Sequence, residues 1–291
     1  MSSNIIDLHS HTVCSDGSAS PTELVRLAHG AGARAIAITD HDTVAGLAEG
    51  RTTAAEFGME FINGIEISAE YQPGTMHILG YFIDPESRSL GDTLNQLRRA
   101  REERNPQIAR RLQSLGLDVT YEEVAALAGN EVVGRPHFAR VMLNKGYVES
   151  IKDAFNSYLA KGAPAYVEKA RLSPKASIDL IHDAGGAAVL AHPYQMGLSW
   201  ADLKGQLGEL VEFGLDGIEA IYSRHSAEDR AAYSELAKER GLLVTGGSDF
   251  HGSYKPDISI VLGLGDLEIP YELLGPLKER AASYANGRRS H

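Results

Sequence analysis

The feature that most constrains this chain is a series of short apolar runs, most of them followed at once by polar or titratable residues and alternating with helix-like segments. The first run spans residues 5–8 and the second 35–39. Between them lies a clear helix start, with Ser20 as N-cap, Pro21 at the first position and Glu23 three residues after the cap. Leu24, Leu27, Ala28 and Ala31 share one face at helical spacing, and Gly30 and Gly32 offer stop positions. This is a β-α-β unit. Further strands are expected at 61–67, 76–83, 187–191, 217–222 and 242–245, and the alternation favours a parallel α/β architecture over a sandwich or a bundle. In barrels and open parallel sheets the reacting groups gather where strands end and loops begin, so the placement of the polar residues itself points to a site.

Residues 84–169 break the pattern, offering several helices and no strand. A basic helix at 94–104 is expected to stop near Asn105-Pro106, Thr120 with Glu123 forms a capping box for the next helix, and Arg135-Pro136-His137 opens another that ends at Gly146. A further helix is expected over 150–161, before Gly162. The expected organisation is therefore a discontinuous domain, 1–83 with 170–291, carrying a helical insertion, 84–169, that covers its site.

Length and composition set limits on function. A chain of 291 residues has enough interior to fold without disulfide or metal staples, so its histidines are not needed for folding. No apolar run approaches the roughly 18 residues of a membrane span. The first residues lack the basic and apolar regions of a signal peptide, and the single Cys14 has no internal disulfide partner, so a cytoplasmic protein is expected. A net charge of −11 argues against broad, non-specific nucleic-acid binding. A group of divalent cations would reverse the sign inside a carboxylate-lined pocket, which leaves an anionic small substrate possible.

Six of the eleven histidines fall in five short clusters: Asp7-Leu8-His9-Ser10-His11 with Asp16; Thr39-Asp40-His41-Asp42; Glu66 with His77; Ala191-His192-Pro193; and Gly247-Ser248-Asp249-Phe250-His251. Imidazole nitrogen with carboxylate oxygen suits Zn, Mn or Fe, and the absence of cysteine partners argues against a thiolate zinc site. His9 and His11 are two apart on an extended segment, so their side chains point the same way and can grip one ion.

The phrases Asp7-Leu-His-Ser-His-Thr-Val-Cys-Ser-Asp-Gly17, Thr39-Asp-His-Asp42, Gly64-Ile-Glu66, Ala191-His-Pro193 and Gly247-Ser-Asp-Phe-His251 resemble the motifs of the polymerase and histidinol phosphatase (PHP) superfamily, in order and across nearly the whole chain. The resemblance implies a distorted (β/α)7 barrel with three divalent metal ions, manganese first, with zinc or iron as alternatives. It assigns one ion to His9, His11, Glu66 and Asp249, a second to bridging Glu66 with His77 and His192, and a third to Asp16, His41 and His251. Asp40 and Asp42 are expected to orient imidazoles or cap a loop. Glu66, Asp249 and His192 are the expected catalytic residues, through attack on phosphorus by a hydroxide held between ions.

The Gly134-Arg-Pro-His137 segment resembles the branch acting on nucleotides and short RNA. The implied activity is removal of the 3′-phosphate from nucleoside 3′,5′-bisphosphates, with degradation of short RNA from its 5′ end beside it. The implied partners are the nucleotide or oligonucleotide substrate alone, without membrane or obligate protein. A phosphatase for histidinol phosphate or another small phosphomonoester, and a non-catalytic nucleotide- or metal-binding module, are the alternatives.

Arg135, at a helix start that itself favours an anion, is the expected phosphate clamp, helped by His137. His225 is expected to contact substrate or protonate the leaving oxygen. Arg98, Arg99, Arg101, Arg104, Arg110 and Arg111 form a basic stretch that would guide an oligonucleotide or simply face solvent. His29, His182 and His291 are expected to be surface or structural residues, and Trp200 and Cys14 carry no chemical expectation.

Overall fold

The computed structural model describes residues 4–129 and 133–288, and His291 lies outside them. The chain forms two compact units, one of Met1–Asp92 with Arg171–His291 and one of Thr93–Ala170.

The first unit is built on a seven-stranded, nearly closed barrel-like sheet. Its strands are β1 (Ile6–Asp7), β2 (Ala35–Ile38), β3 (Glu60–Ala69), β4 (Met76–Tyr81), β5 (Ala187–Leu190), β6 (Gly217–Tyr222) and β7 (Leu243–Gly247), in that order across the sheet. Just past β1, Leu8 donates its N–H to the Gly246 carbonyl of β7 at 3.2 Å, which draws the two edges together. Around the sheet run α1 (Pro21–Gly30), α2 (Leu47–Glu56), α7 (Pro174–Asp183), α8 (Trp200–Glu212), α9 (Ala227–Glu239) and α10 (Leu274–Arg288). One core cluster joins Ile6, Leu8, Ile62, Leu79, Tyr81 and Val189 of the strand region to Leu274, Leu277 and Ala281 of α10.

Two local expectations change here. The sheet is not wholly parallel, because β4 runs antiparallel to both β3 and β5. Only residues 70–75 separate β3 from β4, too few for the crossover of a dozen or more residues that a parallel pair requires. In α1 the Ser20–Glu23 capping box forms as read, but the buried face is Pro21, Leu24, Val25 and Ala28, and Leu27 is exposed. Gly30 stays helical, and the left-handed residue that ends the turn is Gly32.

The second unit is helical. It takes most of α3 (Arg88–Ser114), then α4 (Tyr121–Ala128), α5 (Arg135–Asn144) and α6 (Ile151–Ala154), which runs into a π-helical turn at Phe155–Leu159. The expected break at Asn105-Pro106 does not occur, since Pro106 lies inside α3. A proline there forfeits one helical hydrogen bond, a penalty of about 3 kcal/mol. Burial of Ile108, Ala109 and Leu112 in this unit's core, with the Asn105 side chain donating to the Val133 carbonyl at 2.9 Å, offsets it.

The same packing divides the arginine stretch. Arg104 is buried with its guanidinium on Asn105, so it is held by the fold rather than presented to a polyanion, while exposed Arg111 donates to the Tyr166 carbonyl. Arg135 donates to the Leu159 carbonyl at 3.0 Å and lies over the Tyr166 and Phe155 rings, and His137 Nδ1 accepts the Gly134 N–H at 3.1 Å. Among the described residues no helix is long and apolar enough to cross a membrane.

Candidate metal centre

The barrel delivers its titratable residues to one end. His9, His11 and Asp16 follow β1, His41 follows β2, Glu66 lies in β3, His192 follows β5, and Asp249 and His251 follow β7. His77 is the second residue of β4. Because that strand is antiparallel, its beginning lies where the parallel strands finish, opposite Ser68 of β3. The reversal that departs from a parallel sheet is thus what brings His77 to the site.

The segments approach closely. A side chain at Gly17 would overlap the His11 carbonyl and one at Gly247 would overlap His9, so these two positions accept only glycine without a shift of the backbone. Asp42, His192 and Asp249 adopt positive φ, at 54°, 21° and 56°. Such conformations cost on the order of 1–3 kcal/mol each in non-glycine residues and persist where the surroundings fix them. His192 is held by its N–H to Glu219 Oε2 at 2.8 Å, and Asp249 by its N–H to the His9 carbonyl at 2.8 Å.

Glu66 is the centre of the arrangement. Its Oε1 lies 2.7 Å from His77 Nδ1 and 3.0 Å from His192 Nε2. Its Oε2 lies 3.1 Å from His11 Nε2 and 3.2 Å from both His9 Nε2 and His41 Nδ1. Asp249 Oδ1 faces His11 Nε2 at 3.3 Å and His251 Nδ1 at 3.4 Å, and Asp16 Oδ1 faces His11 Nδ1 and His251 Nε2, each at 3.4 Å.

Four sets of donor atoms are mutually close: His11, Asp16, His41 and His251; His9, Glu66 and His192; His9, His11 and Asp249; and His41, Glu66 and His77. All nine residues named as metal ligands in the sequence occur in them. The grouping differs from the expected three-ion layout in that His11 also faces Asp16 and His41 also faces Glu66.

The donor set fits divalent cations. Nitrogen and oxygen ligands sit about 2.0–2.2 Å from such an ion, so neighbouring donors on one ion lie roughly 3–3.5 Å apart, the spacing seen here. Hydrogen bonding alone does not account for it, because His41 Nδ1, which faces Glu66 Oε2, is buried without a hydrogen-bond partner.

Electrostatics agree. Burial opposes ionisation of Glu66 and Asp249, yet the surrounding imidazoles hold both carboxyls well below their usual range. Burial likewise opposes charge on His11, but Asp249, Glu66 and Asp16 overcome it and push its pKa up to about 10, whereas burial takes His41 down to about 3. The carboxylates are therefore ionised acceptors, and a cation would displace imidazole protons.

Three residues not singled out in the sequence shape this centre. Glu219 of β6 is fully buried and accepts His9 Nδ1–H at 2.9 Å, which leaves His9 Nε2 to face the cluster. Tyr222 donates its hydroxyl to Asp249 Oδ2 at 2.7 Å, and Lys255 places Nζ 2.7 Å from the same oxygen. An acidic residue inside the apolar run Gly217-Ile-Glu-Ala-Ile-Tyr222 was the available signal for Glu219, since an unpaired carboxylate is rarely buried.

The remaining expected residues lie elsewhere. Asp40 accepts Thr12 N–H, Thr12 Oγ1 and Ser15 Oγ at 2.6–2.8 Å, and Asp42 accepts the Ser68 N–H at 3.1 Å, so both fasten loops. His225 is buried among Tyr194, Tyr222 and Tyr233, and its Nδ1–H goes to the Ala220 carbonyl at 2.9 Å. Burial lowers its pKa, so Nε2 offers a lone pair and the leaving-group proton is not assigned to it. Arg135 and His137 belong to the second unit. His29 is exposed and stacked on Phe57, and His182 is a partner of buried Asp216.

The chain resembles known proteins over most of its length. The chain is 35% identical over 247 residues to the 3′,5′-nucleoside bisphosphate phosphatase of Chromobacterium violaceum, covering 84% of this chain and 87% of that protein. It is 36% identical over 249 residues to the 5′-3′ exoribonuclease Rnm of Escherichia coli, covering 85% of each. A solved structure from Bifidobacterium adolescentis, of a protein proposed to be a metal-dependent phosphoesterase, superposes with a TM-score of 0.79 at 32% identity, covering 94% of this chain and 95% of that one. The PHP domain family matches residues 7–243, from the carboxylate that ends β1 to the first residue of β7. The chain belongs to the PHP domain family.

Proposed function

We propose that this protein is a metal-dependent phosphoesterase that removes the 3′-phosphate from nucleoside 3′,5′-bisphosphates and also takes short RNA from its 5′ end. The observation that carries the reading is the convergence of eight imidazole and carboxylate residues around Glu66, in a chain resembling a named nucleoside bisphosphate phosphatase over most of its length. His9, His11, Glu66 and Asp249 would hold one ion, with His77 and His192 sharing Glu66 at a second and Asp16, His41 and His251 at a third; manganese suits this nitrogen and oxygen set.

Divalent cations supply Lewis acidity toward the phosphoryl oxygens and toward water. The chain's own residues do the rest. Glu66 and Asp249 stay ionised and fix the centre, Glu219 holds the His9 ring with Nε2 inward, and Tyr222 keeps Asp249 turned so that Oδ1 faces the imidazoles. Arg135, with His137, binds substrate phosphate in this reading, and Arg135→Ala raises KM without changing metal content.

The test is phosphate release by manganese-reconstituted protein from adenosine 3′,5′-bisphosphate and, separately, from histidinol phosphate. Preference for the bisphosphate is expected. Asp249→Asn should lower kcat/KM at least about 100-fold, about 2.7 kcal/mol of transition-state stabilisation. Preference for histidinol phosphate would overturn the nucleotide assignment, and release from no phosphoester would overturn the enzymatic one.

A further inference from the structure

Asp249 divides its two oxygens. Oδ1 faces His11 and His251, while Oδ2 takes the Tyr222 hydroxyl and Lys255 Nζ, both at 2.7 Å. The two partners of Oδ2 differ in exposure. Tyr222 is 1% exposed and suffices to orient the carboxylate, whereas the Lys255 side chain is 32% exposed and reaches the centre from the solvent side. It leaves the turn Gly252–Tyr254 that follows His251, with its own N–H on the Gly252 carbonyl at 3.2 Å.

Resting on the phosphoesterase reading, we infer that Lys255 is a substrate-binding residue whose ammonium receives a phosphoryl oxygen of the phosphoester at the metal centre. An ammonium carries three donors, and among the described residues Asp249 is the side chain it meets, which leaves donors for an incoming anion. Its position also has an electrostatic consequence. A cation held beside a site for divalent cations is repelled by them, and an anionic phosphoryl group lying between the two relieves that repulsion. Were Lys255 merely a counter-ion that steadies Asp249, its removal would weaken the metal site. As a phosphate-binding group, its removal leaves metal affinity unchanged or raises it and weakens the anion.

The two roles thus predict opposite signs, and calorimetry with inorganic phosphate reads them without turnover. Wild type, Lys255→Met and Lys255→Arg, each loaded with manganese, are titrated with phosphate, and manganese affinity is measured by competition with a chelator. Lys255→Met is expected to bind phosphate at least about tenfold more weakly, the loss of one charge-assisted hydrogen bond, with manganese affinity unchanged or higher. Lys255→Arg should recover most of the phosphate affinity. Phosphate affinity within twofold of wild type in Lys255→Met, a parallel fall in manganese affinity, or wild type that binds no phosphate would each overturn the inference. Lysine-dependent phosphate binding in a protein that hydrolyses no phosphoester would leave Lys255 assigned and refute the enzymatic reading.

Discussion

The barrel unit carries two histidine and carboxylate constellations, and they are built on opposite rules. At the amino ends of the strands, Asp216 precedes β6 with its side chain fully buried. Its Oδ2 accepts His182 Nε2–H and the Ala188 N–H at 2.9 Å, and its Oδ1 accepts the Arg280 guanidinium and the Tyr284 hydroxyl at 2.8 Å. Four donors meet two oxygens, so every lone pair has a proton and the cluster is complete. At the carboxyl ends, Glu66 meets five imidazoles and further carboxylates crowd behind them. Five imidazole nitrogens share the two oxygens of one carboxylate there, and His41 Nδ1 makes no hydrogen bond. The first cluster ties β5, α7 and α10 together; the second is organised for cations that the chain does not provide. Identical residue types therefore say little about role until donors are matched to acceptors.

The largest expected effect falls on the second cluster. Glu66→Ala removes the carboxylate shared by five imidazoles and should abolish stoichiometric metal binding and phosphate release, a loss on the order of 10³-fold or more. The Tm of its metal-free form should not fall as that of Asp216→Ala does. For Asp216→Ala the comparison inverts. Metal uptake survives, and stability measured by urea unfolding falls by about 3 kcal/mol, because a buried charge network loses its centre. The pH dependence follows from the sign of the shift. Burial opposes the charge of Asp216, but its donors, led by His182, depress its pKa, so its contribution is present above the ordinary carboxylate range and is lost as pH falls through the depressed value.

Smaller effects sharpen the contrast. Glu219→Gln keeps the shape but cannot accept from both His9 Nδ1–H and the His192 N–H in one orientation, and should weaken manganese binding by about 10- to 100-fold in chelator competition. Smaller still is the coupling of metal to protons. With His11 pushed up to about 10, the metal-free protein carries that proton at neutral pH, so metal binding releases it. Calorimetric affinity for manganese should then rise about tenfold per pH unit between pH 6 and 8 for each proton displaced. An affinity independent of pH would contradict the protonation described for the cluster.

What the sequence revealed has a physical pattern. Most of the nine residues that the fold brings together lie beside other titratable residues, as in Asp7-Leu-His-Ser-His11, and just past strands that hydrophobic runs mark out, whereas Glu66 and His77 lie within β3 and β4. Glu219 and Asp216 were not legible in this way, since one lies in an apolar strand and the other just before it, and their partners, His9, His182 and Arg280, are distant in sequence. Lys255 follows His251 by four residues but reads as an ordinary surface lysine until its contact with Asp249 is seen. In the scaffold, local signals such as the Ser20 and Thr120 capping boxes hold because their bonds are local. The helix break expected at Pro106 fails because packing of Ile108 and Leu112 outweighs one missing hydrogen bond.

The most direct measurement is manganese content after equilibrium dialysis of wild type, Glu66→Ala and Asp216→Ala, at a temperature where all three are folded by circular dichroism. Stoichiometric metal in wild type and Asp216→Ala with none retained by Glu66→Ala is the predicted result. Equal uptake by wild type and Glu66→Ala, or no uptake by wild type, would contradict the assignment of the Glu66 cluster as a metal centre.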